Sequence, residues 1–341
     1  SCMIDQRNSG SAVSAGYAVD RTHIEGFNGA GAGTGQQVTD APAGFLKSLK
    51  VTVTTVDTSL GASDFYTLRH IIEGQNVAHL GFGTMNAKTV TLSFWVKSSM
   101  AGIFCCSIGN GSNNKTMPKE YNINAANTWE YKTITFPGAT TGTWGTDNGR
   151  GISIRWCMGV GSTRIGTVDT YNGNEAHGTS KQMNLFATNG STFQITGMQL
   201  EEGKAATPFE HRSFGEEIDL CRRYYSVFHP TGQEQVYIET AGTASHSFVN
   251  FPIPYGMRTQ PSITLGGTWT GHGMVGGRTI SAAAVQDTTN GGLNGTTHVG
   301  AMGRVSVRIT RDSGGTYSSG QIAHTDGWKN GAAWLAYSAE M

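Results

Sequence analysis

Charge is scarce in this chain. Of 341 residues, 24 are Lys or Arg and 24 are Asp or Glu, so charged side chains make up 14% and the formal net charge is zero. Soluble domains usually carry about 25%. No basic run exists, which argues against electrostatic capture of nucleic acid or of an anionic membrane surface. No apolar stretch approaches the ~20 residues that span a bilayer, so membrane insertion is not expected. The opening stretch SCMIDQRNSGSAVSAGYAVD lacks the apolar core of a signal peptide. It also lacks an initiator Met, as in a processed chain or one that begins inside a longer chain. Disulfide and zinc signatures are missing as well. The five cysteines, Cys2, Cys105, Cys106, Cys157 and Cys221, contain no CxxC pair. Adjacent Cys105 and Cys106 have poor geometry for a mutual bridge, so all five read as reduced thiols from a chain folded in a reducing cytoplasm. GxSxG, HExxH and P-loop lysine motifs are absent, which leaves no enzyme signature of those types.

Glycine is abundant instead, 48 residues, about twice the usual share. With many Thr and Ser, it points to frequent turns and thin β layers. Segment 90–97, VTLSFWVK, puts Val90, Leu92, Phe94 and Val96 on one face and Thr91, Ser93, Trp95 and Lys97 on the other. Segments 49–56 and 152–160 alternate similarly, through Leu49, Val51 and Val53, and through Ile152, Ile154, Trp156 and Met158. Period two with one apolar face is the pattern of half-buried antiparallel strands. Segments 128–136 and 191–201 are further strands, separated by turn-rich loops, and the spacing predicts a β-sandwich. GAGAGTG (29–35) has no flanking strand and helix pattern and reads as a flexible loop. The β pattern resumes at 234–242, 245–265, 304–312 and 331–341, interrupted by glycine tracts at 266–279 and 288–295.

Between the two β regions lies SFGEEIDLCRRYYSVF, the one helix-like segment. Ser213 and Glu216 fit a capping box, and acidic residues precede Arg222 and Arg223, which suits the helix dipole. The chain therefore divides into a domain at 1–210, a connecting helix at 211–228 and a glycine-rich β domain at 229–341. Leu220, Cys221, Tyr224 and Tyr225 are expected to be buried at the joint between the β units. Glu216 and Glu217 are neighbours on a helix and do not face each other, so they are no acid/base pair.

FQITGMQLEEGKAATPFEHRSFGEEIDLCRRYY (193–225) resembles a signature stretch of tail-fibre and related virion proteins of tailed bacteriophages. GYAVDR (16–21), LSFWVKSS (92–99), TWEYKTITFPG (128–138), FPIPYGMRTQPSITL (251–265) and the ending WLAYSAEM fit the same pattern. The resemblance implies an all-β fold: an N-terminal jelly-roll similar to carbohydrate-binding modules, the connecting helix, and a C-terminal β-sandwich. It implies a non-enzymatic virion fibre or tail protein, assembled in the bacterial cytoplasm, that binds host surface polysaccharide and sits among other virion proteins. A purely structural capsid or fibre component and a polysaccharide depolymerase are the alternatives. Two thin β units have a modest core for their length, so a homotrimer that buries further faces is expected. Jelly-roll sugar modules often hold a structural calcium ion, for which Asp20, Asp40 and Glu201 offer oxygens.

Sugars are held by flat aromatic faces and neutral polar groups. Ring candidates are Trp95, Trp129, Trp144 and Tyr171 in the first unit, and Trp269, His272, Trp328 and Trp334 in the second. Strand residues Trp95 and Trp156 are read as packing. Loop residues Trp144, in TGTWGTDNG, and Trp269, in GGTWTGHG, are read as ligand contacts. Ligand contacts are expected from Trp269, His272, Trp144 and Trp328, and specificity from the C-terminal unit, 229–341, where Trp269 and His272 offer a stacking face and a hydrogen-bonding ring. His272, His298 and His324 are too irregularly spaced to signal a metal site.

Overall fold

The alternating segments form strands where one face finds an apolar partner. The computed structural model describes residues 2–26, 29–228 and 334–341. Between 228 and 334 it describes 236–243, 246–252, 256–259, 261–266, 270–273, 277–279, 299–300, 304–310 and 323–326. The chain divides into two compact units, Ser1–Ile218 with Met341, and Asp219–Glu340.

In the first unit the strands are β1 (Gly16–Val19), β2 (Thr22–Glu25), β3 (Ala32–Val38), β4 (Ser48–Thr55), β5 (Phe65–Glu73) and β6 (Val90–Ser98). They continue with β7 (Gly102–Asn110), β8 (Thr116–Ile123), β9 (Glu130–Phe136), β10 (Arg150–Val160) and β11 (Thr192–Glu202). One sheet has six strands in the order β1-β2-β5-β10-β7-β8, the other five in the order β3-β4-β11-β6-β9. The pairings within both sheets are antiparallel. This is the jelly-roll sandwich that was expected. Val90, Leu92, Phe94 and Val96 from β6 meet Ile152, Ile154, Trp156 and Met158 from β10 in one buried cluster. The Phe94 and Trp156 rings meet edge to face at 5.8 Å. Burying each such side chain stabilises by roughly 1.5–3 kcal/mol.

Two strands break the sequence reading. Residues 29–35 are not wholly a loop, because Ala32–Val38 is β3 and pairs with β4. Glycine hides the alternation, and it is needed there: a Cβ on Gly35 would lie 2.5 Å from Ile24 Cδ1 and 2.8 Å from Ala18 Cβ. The second strand, β7, carries the adjacent cysteines on opposite faces. Cys106 lies opposite Trp156 in the core, whereas Cys105 lies opposite Cys157 on the outer face. All five cysteines are buried and none is in a disulfide.

The helix runs Phe214–Arg222. Its capping box is made, with Ser213 N donating to Glu216 Oε2 at 2.9 Å and Glu216 N to Ser213 Oγ at 3.2 Å. It does not continue to Phe228. Tyr225–Phe228 is a strand paired antiparallel with Trp334–Ser338, as suits its aromatic and β-branched residues. Leu220 is 51% exposed, which corrects its expected burial, whereas Cys221 and Tyr224 are buried at 6% each and Tyr225 is half-buried. On a helix Leu220 points about 100° away from Cys221, off the stripe that Cys221 shares with Ile218.

The second unit is described by its backbone beyond Phe228. Trp334–Ser338 lies between Tyr225–Phe228 and Ser262–Gly266 in a three-stranded sheet. A seven-stranded sheet runs Gly277–Thr279, Thr270–Gly273, Ala323–Asp326, Val236–Thr243, His246–Pro252, Arg304–Thr310 and Val299–Gly300 in spatial order.

Candidate functional site

The five-stranded sheet presents aromatic rings on its outer face. Thr196, Trp95 and Tyr131 stand side by side on β11, β6 and β9. Because Val96 and Phe94 point into the core, Trp95 and Lys97 must point out. Trp95 and Tyr131 meet at 5.4 Å with a 50° tilt, and Tyr131 is 41% exposed. Trp129, half-buried, precedes β9 and stands beside Lys97, whose Nζ lies 5.4 Å from the ring centroid. In the next row Gln36, Lys50, Gln194 and Lys97 follow one another across four strands.

Local chemistry fixes these rings. The turn before Trp129 is closed on Glu130, which accepts from Asn124 N at 2.8 Å and Ala125 N at 2.9 Å and pairs with Lys132. Asn127 takes the left-handed conformation at φ 57°, which asparagine tolerates well. Asp40 then ties the face together. It pairs with Lys97 and accepts from Trp129 Nε1 at 3.2 Å. Lys97's hydrogen bond holds its carboxyl below the usual range, helped by those from Trp129 and Gln194 and opposed by burial. Two walls border the rings. On one side, Ser48 Oγ donates to Asp40 O and Thr196 Oγ1 to Lys47 O, laying residues 40–47 over β4 and β11. On the other, Thr91 Oγ1 donates to Gly203 O and Glu210 N to Gln199 Oε1, holding residues 203–210 down. Phe45, Phe209 and His211 join the walls, with ring centroids 4.9–5.2 Å apart. Gly197 makes room for this, since a Cβ there would meet the Phe45 ring at 2.6 Å.

The result is a face of three rings with a paired donor and acceptor, Lys97 and Asp40, at its edge. Such a face suits the C–H faces of a sugar ring, with hydroxyls reaching the polar edge. Sequence reasoning named Trp95 and Trp129 as candidates but read Trp95 as packing. It passed over Tyr131 and Lys97, although Lys97 shares Trp95's polar side of a period-two strand.

The other expected residues lie elsewhere. Trp144 is not an exposed loop ring but belongs to the core at 8% exposure, edge-on to Phe82 at 4.8 Å and to Tyr171 at 6.1 Å. Its apolar neighbours are distant in sequence, which is why the loop looked empty of them. Tyr171 donates its hydroxyl to Pro137 O at 2.8 Å. Trp269, Trp328 and His298 lie outside the described residues. His272, His324 and Trp334 fall on strands described by their backbone. Asp20 is held by Gln6 and Arg7, Asp40 by Lys97, and Glu201 by Thr207. No cluster of three or more His, Cys, Asp or Glu side chains fit to hold a metal occurs among the described residues, so the three expected calcium ligands do not converge.

No protein-family model matches the chain, and no curated protein matches it. Solved structures similar to it include the enzymatically active domain of tailspike protein 4 of bacteriophage CBA120, at 13% identity and a TM-score of 0.30, covering 59% of this chain and 22% of that one. A family 11 carbohydrate-binding module from a Clostridium thermocellum cellulase is 12% identical with a TM-score of 0.30, covering 58% of this chain and 97% of the module. A family 61 module in complex with β-1,4-galactotriose is 12% identical with a TM-score of 0.28, covering 53% and 88%.

Proposed function

We propose that this protein binds host-surface glycan without cleaving it, as a fibre or tail component of a virion. The observation that carries the reading is the ring face of Trp95, Tyr131 and Trp129, bordered by Lys97 and Asp40. Stacking holds a sugar, whereas glycoside cleavage calls for two carboxyl groups converging on the scissile bond. At this face Asp40 is ion-paired with Lys97, and its neighbour Glu130 is occupied by Asn124, Ala125 and Lys132, which supports binding over hydrolysis. The virion assignment, and with it assembly as a homotrimer among other virion proteins, is supported by the resemblance of residues 193–225 to phage fibre proteins.

Binding of purified protein to host polysaccharide tests the reading. The double variant Trp95→Ala, Trp129→Ala is expected to lose binding by about 100-fold, as two lost stacking contacts of about 1–1.5 kcal/mol each would give, while still unfolding cooperatively. Undiminished binding by a folded double variant would remove this face from consideration, and shortening of the polysaccharide would favour the depolymerase alternative. A stable folded monomer at micromolar concentration in sedimentation would defeat the trimer.

A further inference from the structure

The outer face of the other sheet holds a second arrangement of polar groups. Tyr17, His23, Arg69, Arg155, Ser107 and Pro118 form a row across all six strands, one residue from each. Glu25 stands in the neighbouring row beside Thr67. Residues 162–178 fold over this face, where Ile165 packs on Cys105, Cys157 and Val160 and brings Arg164, Glu175 and His177 to it.

Ion pairs link the group. Glu25 takes Arg155 Nε at 2.8 Å and pairs with Arg69. Glu175 pairs with Arg164 and lies 3.5 Å from Arg155 Nη2. Arg155 Nη1 donates to Asn113 Oδ1 at 3.1 Å. Three guanidinium groups face two carboxylates, which leaves one positive charge over. His177 does not offset it, since burial lowers its pKa and favours the neutral ring. The donors are also incompletely used. Arg69 Nε, Arg155 Nη2 and Arg164 Nε are buried donors without a hydrogen-bond partner, and so is the single N–H of the neutral His177 ring, neither of whose nitrogens is bonded. The Arg155 and His177 side chains are 1% and 0% exposed, whereas Glu175 and Arg164 are a quarter exposed. Like charge is crowded here. Burial, and after it the charges of Arg155 and Arg150, lower the Arg69 pKa against the pull of Glu25.

A buried charge is retained when it is paired, and orphaned donors when something accepts from them. Water could take the bonds but would leave the charge. An oxyanion answers both needs, and a planar guanidinium fork matches a carboxylate in shape. We propose that this cluster, centred on Arg155 and flanked by Arg69, Arg164 and His177, is a binding site for a singly charged carboxylate, for which glucuronate is the probe. It lies on the opposite sheet from the ring face and does not depend on it.

Titration of the full chain with sodium glucuronate, glucose or inorganic phosphate, at constant ionic strength and with thermal unfolding as readout, tests this. Glucuronate is expected to raise the unfolding midpoint by mass action and glucose to leave it unmoved. Arg164→Gln, at the more exposed side of the cluster, should weaken glucuronate about 10-fold, the loss of one charge-assisted bond. Glu25→Gln removes a competing carboxylate and should strengthen it, so glucuronate should stabilise that variant more than the wild type even where its own midpoint is lower. Stabilisation by phosphate alone would overturn the carboxylate assignment. A glucuronate response absent from the wild type, or the same in all three proteins, would overturn the site itself.

Discussion

The two outer faces of the jelly-roll solve the same problem, a sheet surface not covered by the other sheet, in opposite ways. On the five-stranded sheet Trp95, Trp129 and Tyr131 keep open surface, and in the ion pair at the edge the Asp40 side chain is 49% accessible and that of Lys97 16%. On the six-stranded sheet the covering loop seals Arg155 and His177, at 1% and 0%, beneath carboxylates that are 16–25% exposed. Exposure sets the worth of a charge. A surface ion pair contributes at most about 1 kcal/mol, whereas breaking a buried one by removing a single partner costs about 3–5 kcal/mol.

That contrast can be broken most directly at its two cations. Arg155→Met is expected to destabilise the chain by about 2–3 kcal/mol in denaturant unfolding, because its buried hydrogen bonds to Glu25 and Asn113 are lost although Arg69 stays paired with Glu25. Lys97→Met, on the other face, should cost less than about 1 kcal/mol. Equal losses would mean that the two faces do not differ as described. The next effect concerns the wall of the ring face. Gly197 has φ 60° and abuts the Phe45 ring, so Gly197→Ala should destabilise by about 1–3 kcal/mol and loosen glycan binding as the wall shifts. A variant as stable as wild type would show that Phe45 yields freely.

A pH series sharpens the charged face. The contact with His177, opposed by burial and joined by the charges of Arg155, Arg164 and, once acid protonates it, His177, pushes the Glu175 pKa from 4.5 down to about 2. His177 Nε2 is 3.4 Å from Glu175 Oε1, close enough to act on the charge although too poorly aligned for a hydrogen bond. A depressed carboxyl contributes stability that is complete above the unfolded pKa and disappears as pH falls through the folded one. Wild type should therefore lose stability between about pH 4.5 and 2 more steeply than Glu175→Gln. Parallel acid limbs would exclude Glu175 as the titrating group. The smallest change is expected at the ring face, where stacking on neutral sugar is insensitive to screening. Half-molar salt should leave glycan binding there within a factor of about two, and a steep salt dependence would transfer the binding to charged groups.

The strands with intact alternation were readable in advance. Segments 49–56, 90–97 and 152–160 became β4, β6 and β10 within a residue or two, because a period of two with branched apolar residues has no comparable alternative. β3 and β7 were not readable, the first because glycine carries no hydropathy signal and the second because GIFCCSIGN is buried on both faces and so lacks a polar side. The helix start was legible through Ser213 and Glu216, but its end was not. Whether Tyr225–Phe228 is helix or strand depends on a partner at Trp334–Ser338, over a hundred residues away. The candidate site divides similarly. Trp95 and Lys97 were visible on the polar side of β6, yet loop-borne Trp144 looked the better ligand because Phe82 and Tyr171, which bury it, are remote in sequence.

By itself, then, the sequence determined the all-β class, the antiparallel sandwich pattern of the first unit and the capped helix, since each depends on neighbours a few residues apart. Which rings stay open, which charges are sealed and which glycines are obligatory were decided only when the sheets and loops closed on one another. Burial is a property of distant segments brought together, and it alone separates a half-buried Trp95 from a core Trp144 and a fully buried Arg155 from a half-buried Lys97.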